Sequence, residues 1–332
     1  MSPAVLDTAK PLTRLAFASC NRQDSPQHMW PLIGATRPQL FMMIGDNVYG
    51  DRGWAGDPEL ASFSNAYAML GAEPGFTALR HDVPILATWD DHDYGPNDAG
   101  GEFPYKLRSE DLFEAFWNSS AAVRSRPGIY DSVTVGPAGQ RVQIIVLDTR
   151  FFRSPLTKGP QTEERPPLGP YVPDSDPAKT MLGAEQWQWL EGELAKPADL
   201  RLIVSSIQVL ADAQNFEKWG NLPLERERLY RMLKARNGGG IALLTGDRHS
   251  GSFYRATPPA LGEEVVEITS SSLNAAFVSE GASEREADAS RIGPLYLVEN
   301  FATLDIDWRA RALKMDLRDN TGAVIAGETM RF

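Results

Sequence analysis

Three short segments concentrate the residues that could do chemistry: Gly45-Asp46-Asn47-Val48-Tyr49, Trp89-Asp90-Asp91-His92-Asp93 and Gly246-Asp247-Arg248-His249. Each begins where an apolar run stops. Carboxylates held at the mouth of a sheet repel one another unless a cation neutralises them, so converging acids with imidazoles suit metal-assisted catalysis. Taken singly, each segment reads better as a turn or a helix cap than as a site. Three together favour a site, because two of the four histidines, His92 and His249, fall inside them. His28 and His81 lie outside and are given no role.

The elements that must position these residues are legible as short apolar runs: Arg14 to Ser19, Gln39 to Asp46, Val83 to Asp90, Val142 to Asp148, Arg201 to Ser206 and Ile241 to Asp247. Runs of this length bounded by turn residues suit strands buried on both faces, with helices between them. In such sheets ligands bind beyond the carboxyl ends of the strands. Trp187, Leu190 and Leu194 recur at helical spacing, and Leu222 to Arg236 repeats the pattern before the Gly238-Gly239-Gly240 stop. After residue 262 the pattern becomes alternating, with a hairpin signal at Asn320 to Gly322, which predicts a second, mainly antiparallel sheet over 262–332. Prolines interrupt the stretch from Ser154 to Gly183, which excludes a long helix and predicts an ordered excursion or lid.

Of 332 residues, 44 are acidic and 33 basic, a net charge of −11 that argues against a nucleic-acid backbone as partner. The single cysteine, Cys20, excludes an intrachain disulfide. No window approaches the ~20 apolar residues that span a bilayer, so no membrane span and a soluble protein are expected. The first residues carry Asp7, Lys10, Pro11 and Arg14, and so lack the apolar stretch of a secretory signal. No Gly-x-Ser-x-Gly elbow is present, which disfavours a serine esterase.

In Ala18-Ser19-Cys20-Asn21, GDNVYGD at 45–51, WDDHDYGPND at 89–98, DTRFFR at 148–153 and TGDRHSG at 245–251, the chain resembles the PhoD-like alkaline phosphatases, a branch of the calcineurin-like metallophosphoesterases. The resemblance runs from about Arg14 to Phe253. Relative to the commoner metallophosphoesterase pattern, a cysteine replaces the first Asp-x-His element and Asp247 replaces the penultimate histidine. The resemblance implies a single domain over 1–332 with a four-layer αββα sandwich, an α/β fold. It also implies a centre of ferric iron with one or two calcium ions, other divalent metals being possible. Carried over, Cys20, Asp46, Tyr49 and His249 are the iron ligands, Asp46 bridges, and Asn97 and Asp247 serve calcium. The position of Asn97 can instead be filled by Asp91. Read without the family, Cys20 is a small core residue, Tyr49 an interfacial aromatic and Asn97 a turn residue.

The implied reaction is hydrolysis of a phosphate ester by in-line attack of a metal-bound hydroxide. His92 is the expected general acid, oriented by Asp91, and Arg150 and Arg248 are expected to take substrate charge, against the alternative that each pairs with motif carboxylates. Small phosphate esters or phospholipid-type headgroups are the expected substrates, with monoester and diester both open. The alternative is a catalytically silent protein that keeps the fold and binds metal or a phosphorylated ligand. Family resemblance implies a periplasmic or secreted protein, and the missing signal leaves a cytoplasmic one open.

Overall fold

The computed structural model describes residues 3–160, 169–277 and 285–332. Thirteen strands among these residues form two sheets. The first contains β1 (Arg14–Ala18), β2 (Phe41–Ile44) and β3 (Ile85–Thr88), which run parallel. The second contains β4 (Asp131–Val135), β5 (Val142–Val146), β6 (Leu200–Val204), β7 (Gly240–Thr245), β8 (Gly251–Ala256), β9 (Val265–Ser270) and β10 (Arg291–Tyr296) in the order β10-β8-β9-β7-β6-β5-β4. Antiparallel β11 (Asn300–Asp307), β12 (Ala312–Asp319) and β13 (Val324–Arg331) complete the first sheet, in the order β13-β12-β11-β1-β2-β3.

The apolar runs are continuous because both faces of each strand are covered. Along β1, Leu15 and Phe17 point into the core between the sheets, while Ala16 and Ala18 pack under an outer helical layer. That layer holds α1 (Met29–Ala35), α2 (Ala61–Ala72), α3 (Pro74–Asp82) and α5 (Lys106–Trp117); α4 (Asp91–Tyr94) is a single turn before α5. On the far side, Ile203 of β6 and Leu243 of β7 pack with Trp187 and Leu190 of α6 (Gly183–Leu194) and Leu229 of α7 (Pro223–Lys234). Three apolar layers therefore separate four layers of elements, the αββα sandwich.

Residues 262–332 do not form a sheet of their own. β9 inserts between β7 and β8, whereas β11 to β13 extend the sheet of β1. The alternation in EVVEITSSS misleads because all six β9 residues are buried. Glu267 sits there fully enclosed, accepting hydrogen bonds from the Val209 and Leu210 backbone N–H groups and from Thr245 Oγ1. The hairpin at Asn320 to Gly322 is present, with Asp319 Oδ1 accepting from the N–H groups of Thr321 and Ala323. Of the 154–183 excursion, residues 161–168 lie outside the described residues. The remainder is extended and docked, with Tyr171 N–H donating to Asn215 O and Asp174 N–H to Asn221 O.

Candidate metal centre

The loops that leave β1, β2, β3, β5, β6, β7 and β9 meet in one place, between the carboxyl ends of the two sheets. Cys20 N–H donates to Gly45 O, Gly246 N–H to Ser206 O, and Ser206 Oγ to Asp90 Oδ1 at 2.6 Å. The approach is close enough to demand glycine at two positions. A Cβ on Gly45 would stand 2.7 Å from the Asp90 Cβ, and one on Gly246 would stand 2.5 Å from Ser19 Oγ. Cys20, Asp46, Asp247 and His249 all adopt left-handed backbone, with φ of 57°, 50°, 68° and 51°. Non-glycine residues hold that conformation at a cost of about 1 kcal/mol or more each, and such strain gathers at functional sites.

The expected iron ligands converge. Cys20 Sγ lies 3.5 Å from Asp46 Oδ2, and Tyr49 OH lies 3.3 Å from His249 Nε2. His249 Nδ1 stands 2.5 Å from Ala275 O, so Nδ1 carries the proton and Nε2 presents its lone pair to the site. Ser271, which the sequence reading passed over, fixes both ends of this group: its Oγ accepts from His249 N–H at 2.7 Å and lies 3.1 Å from Cys20 Sγ.

A second set of oxygens adjoins the first. Donor atoms of Asp46, Asp91 and His92 lie within 4.8 Å of one another, as do those of Asp90, Asp91 and Asp247, and those of Asp91, Asp98 and Glu217. Asp91 is thus shared by three groups. Its Oδ2 accepts from Asp98 N–H at 2.8 Å, while among the described residues neither its buried Oδ1, 3.8 Å from Arg150 Nη2, nor Asp90 Oδ2 accepts a hydrogen bond. Asn97 is exposed and lines the mouth of the adjoining cavity.

Two expected roles are corrected by the packing. Arg150 is fully buried and does not reach the cavity; it pairs with Asp90 and Glu217 at 2.5 Å each. It holds the loops together, the reading in which it pairs with motif carboxylates. Asp91 does not orient His92. The His92 Nδ1 atom lies 2.9 Å from Asp51 Oδ2, and its ring lies against Tyr49 with centroids 4.3 Å apart. Asp51 closes the GDNVYGD segment, so the signal was within the motif. Arg248 does line the cavity, although it is paired with Glu286 at 2.6 Å. Arg52, also passed over, is exposed at the cavity, 5.1 Å over the Tyr49 ring, and forms no salt bridge among the described residues.

The electrostatics fit a cation. Burial pushes the Cys20 thiol well up, helped by the Asp46 charge, and burial with the neighbouring Asp91 does the same to Asp46. Asp247 is driven up by burial and by Asp90 and Asp91, and Asp90 rises to about 7 from burial despite Arg150. Burial opposes the charge on His92, but Asp91, Asp46 and Asp51 outweigh it and raise the imidazolium to about 11. His249 falls to about 4, mainly through burial, which leaves it neutral for coordination. Such a set carries its negative charge only beside positive charge. Thiol, phenol and imidazole suit iron, and carboxylate oxygens suit calcium.

The model of the PhoD-like phosphatase family matches residues 15–317. The chain belongs to the PhoD-like phosphatase family. Among curated proteins, this family member is 24% identical over 284 residues to alkaline phosphatase D of Bacillus subtilis (strain 168). The match spans 72% of this chain and 46% of that protein, so the chain covers about half the length of its relative. A solved structure of PhoD superposes with a TM-score of 0.73 at 19% identity, covering 99% of this chain and 70% of that one. The shared fold puts the PhoD-like motifs of this chain at the strand ends described above.

Proposed function

We propose that the protein is a metal-dependent phosphoesterase. The observation that carries this reading is the enclosure of Cys20, Asp46, Tyr49 and His249 beside the buried carboxylates of Asp90 and Asp91, where Tyr49, Asp91, Asp247 and His249 open onto a cavity of about 760 Å³. Cys20, Asp46, Tyr49 and His249 would hold ferric iron. Asp46, Asp91 and Asp247 would hold calcium, with Asn97 at its open side. Bound there, the metals would supply the positive charge that acidifies water and neutralises phosphate oxygens.

The chain's own groups divide the remaining work. Arg52, which forms no salt bridge among the described residues, binds the non-bridging oxygens of the phosphate, and Arg248 with Glu286 forms part of the wall. His92 donates a proton to the leaving oxygen. Its ring is held by the ion pair of Nδ1 with Asp51 Oδ2, and neutralisation of Asp46 and Asp91 would return the imidazolium toward its ordinary range, where donation is effective. Pro170 of the excursion lines the cavity, and the neighbouring Tyr171 anchors it, its OH donating to the cavity-lining Asp98 Oδ2 at 2.7 Å. Small phosphate esters or headgroups fit this room, and a second ester substituent fits too. No helix among the described residues is long and apolar enough to cross a membrane, and the family resemblance favours an exported protein.

Elemental analysis of the purified chain, paired with hydrolysis of chromogenic phosphomonoester and phosphodiester with and without calcium, tests the reading. Iron near one per chain with calcium-dependent turnover is expected. His92→Ala should lower turnover with metal content unchanged. Protein that binds neither metal and turns over neither ester after reconstitution would overturn it.

A further inference from the structure

The rim of the cavity is of different chemistry from its floor. Among the described residues only two aromatic rings are substantially exposed, Phe216 at 40% and Phe277 at 66%, and both line this cavity. Neither is a stray surface residue. Phe216 lies under the Arg248 guanidinium, whose Cζ stands 4.7 Å from the ring centroid, and Phe277 meets the His249 ring edge-on at 4.8 Å. Consecutive residues of one site loop therefore each seat an aromatic ring, and Leu295 and Leu297 continue the apolar surface between the loops. A phosphate group would fill only a small part of the cavity. Pro170, Phe216, Phe277, Leu295 and Leu297 give the remaining space an apolar side, with Arg52, Arg285 and Glu286 also on its lining, and exposed apolar surface beside a polar centre marks a ligand wall.

We infer that the substrate is a phosphate ester whose alcohol is bulky and apolar, an alkyl or aryl group, seated against Phe216 and Phe277 while the phosphate meets the acidic floor. This rests on the phosphoesterase reading above and adds the class of substrate. The floor sets the reaction, and the rim selects the alcohol by removing its surface from water.

The test uses the metal-reconstituted full chain and the series ethyl, butyl, hexyl and octyl phosphate, each below its micellar concentration, with release of inorganic phosphate as readout. Leaving-group basicity barely changes along this series, so a trend in kcat/KM reports the apolar wall. The expected result is a rise of roughly two- to fourfold per methylene until the wall is covered. Phe216→Ala and Phe277→Ala should each lower the octyl-to-ethyl ratio of kcat/KM. Hydrolysis of all four esters at equal kcat/KM would overturn the inference and leave the phosphoesterase reading intact. Calorimetric binding of octylphosphonate and ethylphosphonate decides the matter independently of turnover. Tighter octyl binding with a more negative heat-capacity change supports the wall, and equal affinities overturn it.

Discussion

The floor and the rim of the cavity are built by opposite means. The floor comes from residues that immediately follow strands, is buried, and holds its charges at raised carboxyl and thiol pKa values in left-handed backbone. The rim comes from longer loops, exposes two phenylalanines and the arginines Arg52 and Arg285 among the described residues, and leans on the floor through Tyr49, Arg248 and His249. The difference teaches that stability opposes metal binding in the floor, where the charges of Asp46, Asp90 and Asp247 cost folding energy without a cation, while that of Asp91 is held by His92 and Arg150. In the rim they are nearly independent.

The largest effect expected from this contrast is that of Asp46→Asn. Partners outside a metal's ligand shell are worth 10- to 100-fold, so on the proposed reading loss of the Asp46 carboxylate should lower turnover by about a thousandfold and release metal. The same change removes one of the repelling buried acids, so the melting temperature of metal-free protein should rise; a fall would mean that the floor is not under electrostatic strain. Next in size is Arg150→Ala, which leaves Asp90 buried without its ion pair and Glu217 with Arg153 as its remaining one. Urea unfolding should report a loss of about 3 kcal/mol or more. A raised KM at unchanged stability would return Arg150 to the substrate.

Glu267 anchors the root of the loop that carries Phe216 and Glu217, and its burial lifts its carboxyl from 4.5 to about 7. A carboxyl raised in the folded state takes up protons on folding, so its stabilising contribution is complete below about pH 4.5 and is lost as the pH rises through 7. Between pH 5 and pH 8 the wild-type protein should therefore lose about 2 kcal/mol relative to Glu267→Gln, read from unfolding curves of both at each pH. Parallel pH profiles would remove Glu267 as the source. The smallest effect belongs to the rim. Arg52→Ala should raise KM about tenfold, the worth of one charge-assisted hydrogen bond, with the melting temperature unmoved. A changed melting temperature with constant KM would make Arg52 a structural clamp on Tyr49.

The amino-acid sequence by itself determined the strands of the floor, because each apolar run is covered on both faces and its end is marked by Asp46, Asp90 or Asp247. It also carried the family, through motif residues that lie close together in the chain, and the two helices around Trp187 and Leu229. The partition of residues 262–332 between two sheets was hidden, since a central strand with satisfied polar residues has the same alternation as a half-exposed one. Only the tertiary structure decided the partners. Arg150 sits in a motif, yet its surroundings are completed by Glu217, which lies 67 residues further along the chain. Ser271, Phe216 and Phe277 carry no local signal at all, because what brings them to the site is the crossing of loops from two sheets. Pairing and burial are properties of neighbours in space, and spacing along the chain records them only where the neighbours are also adjacent in sequence.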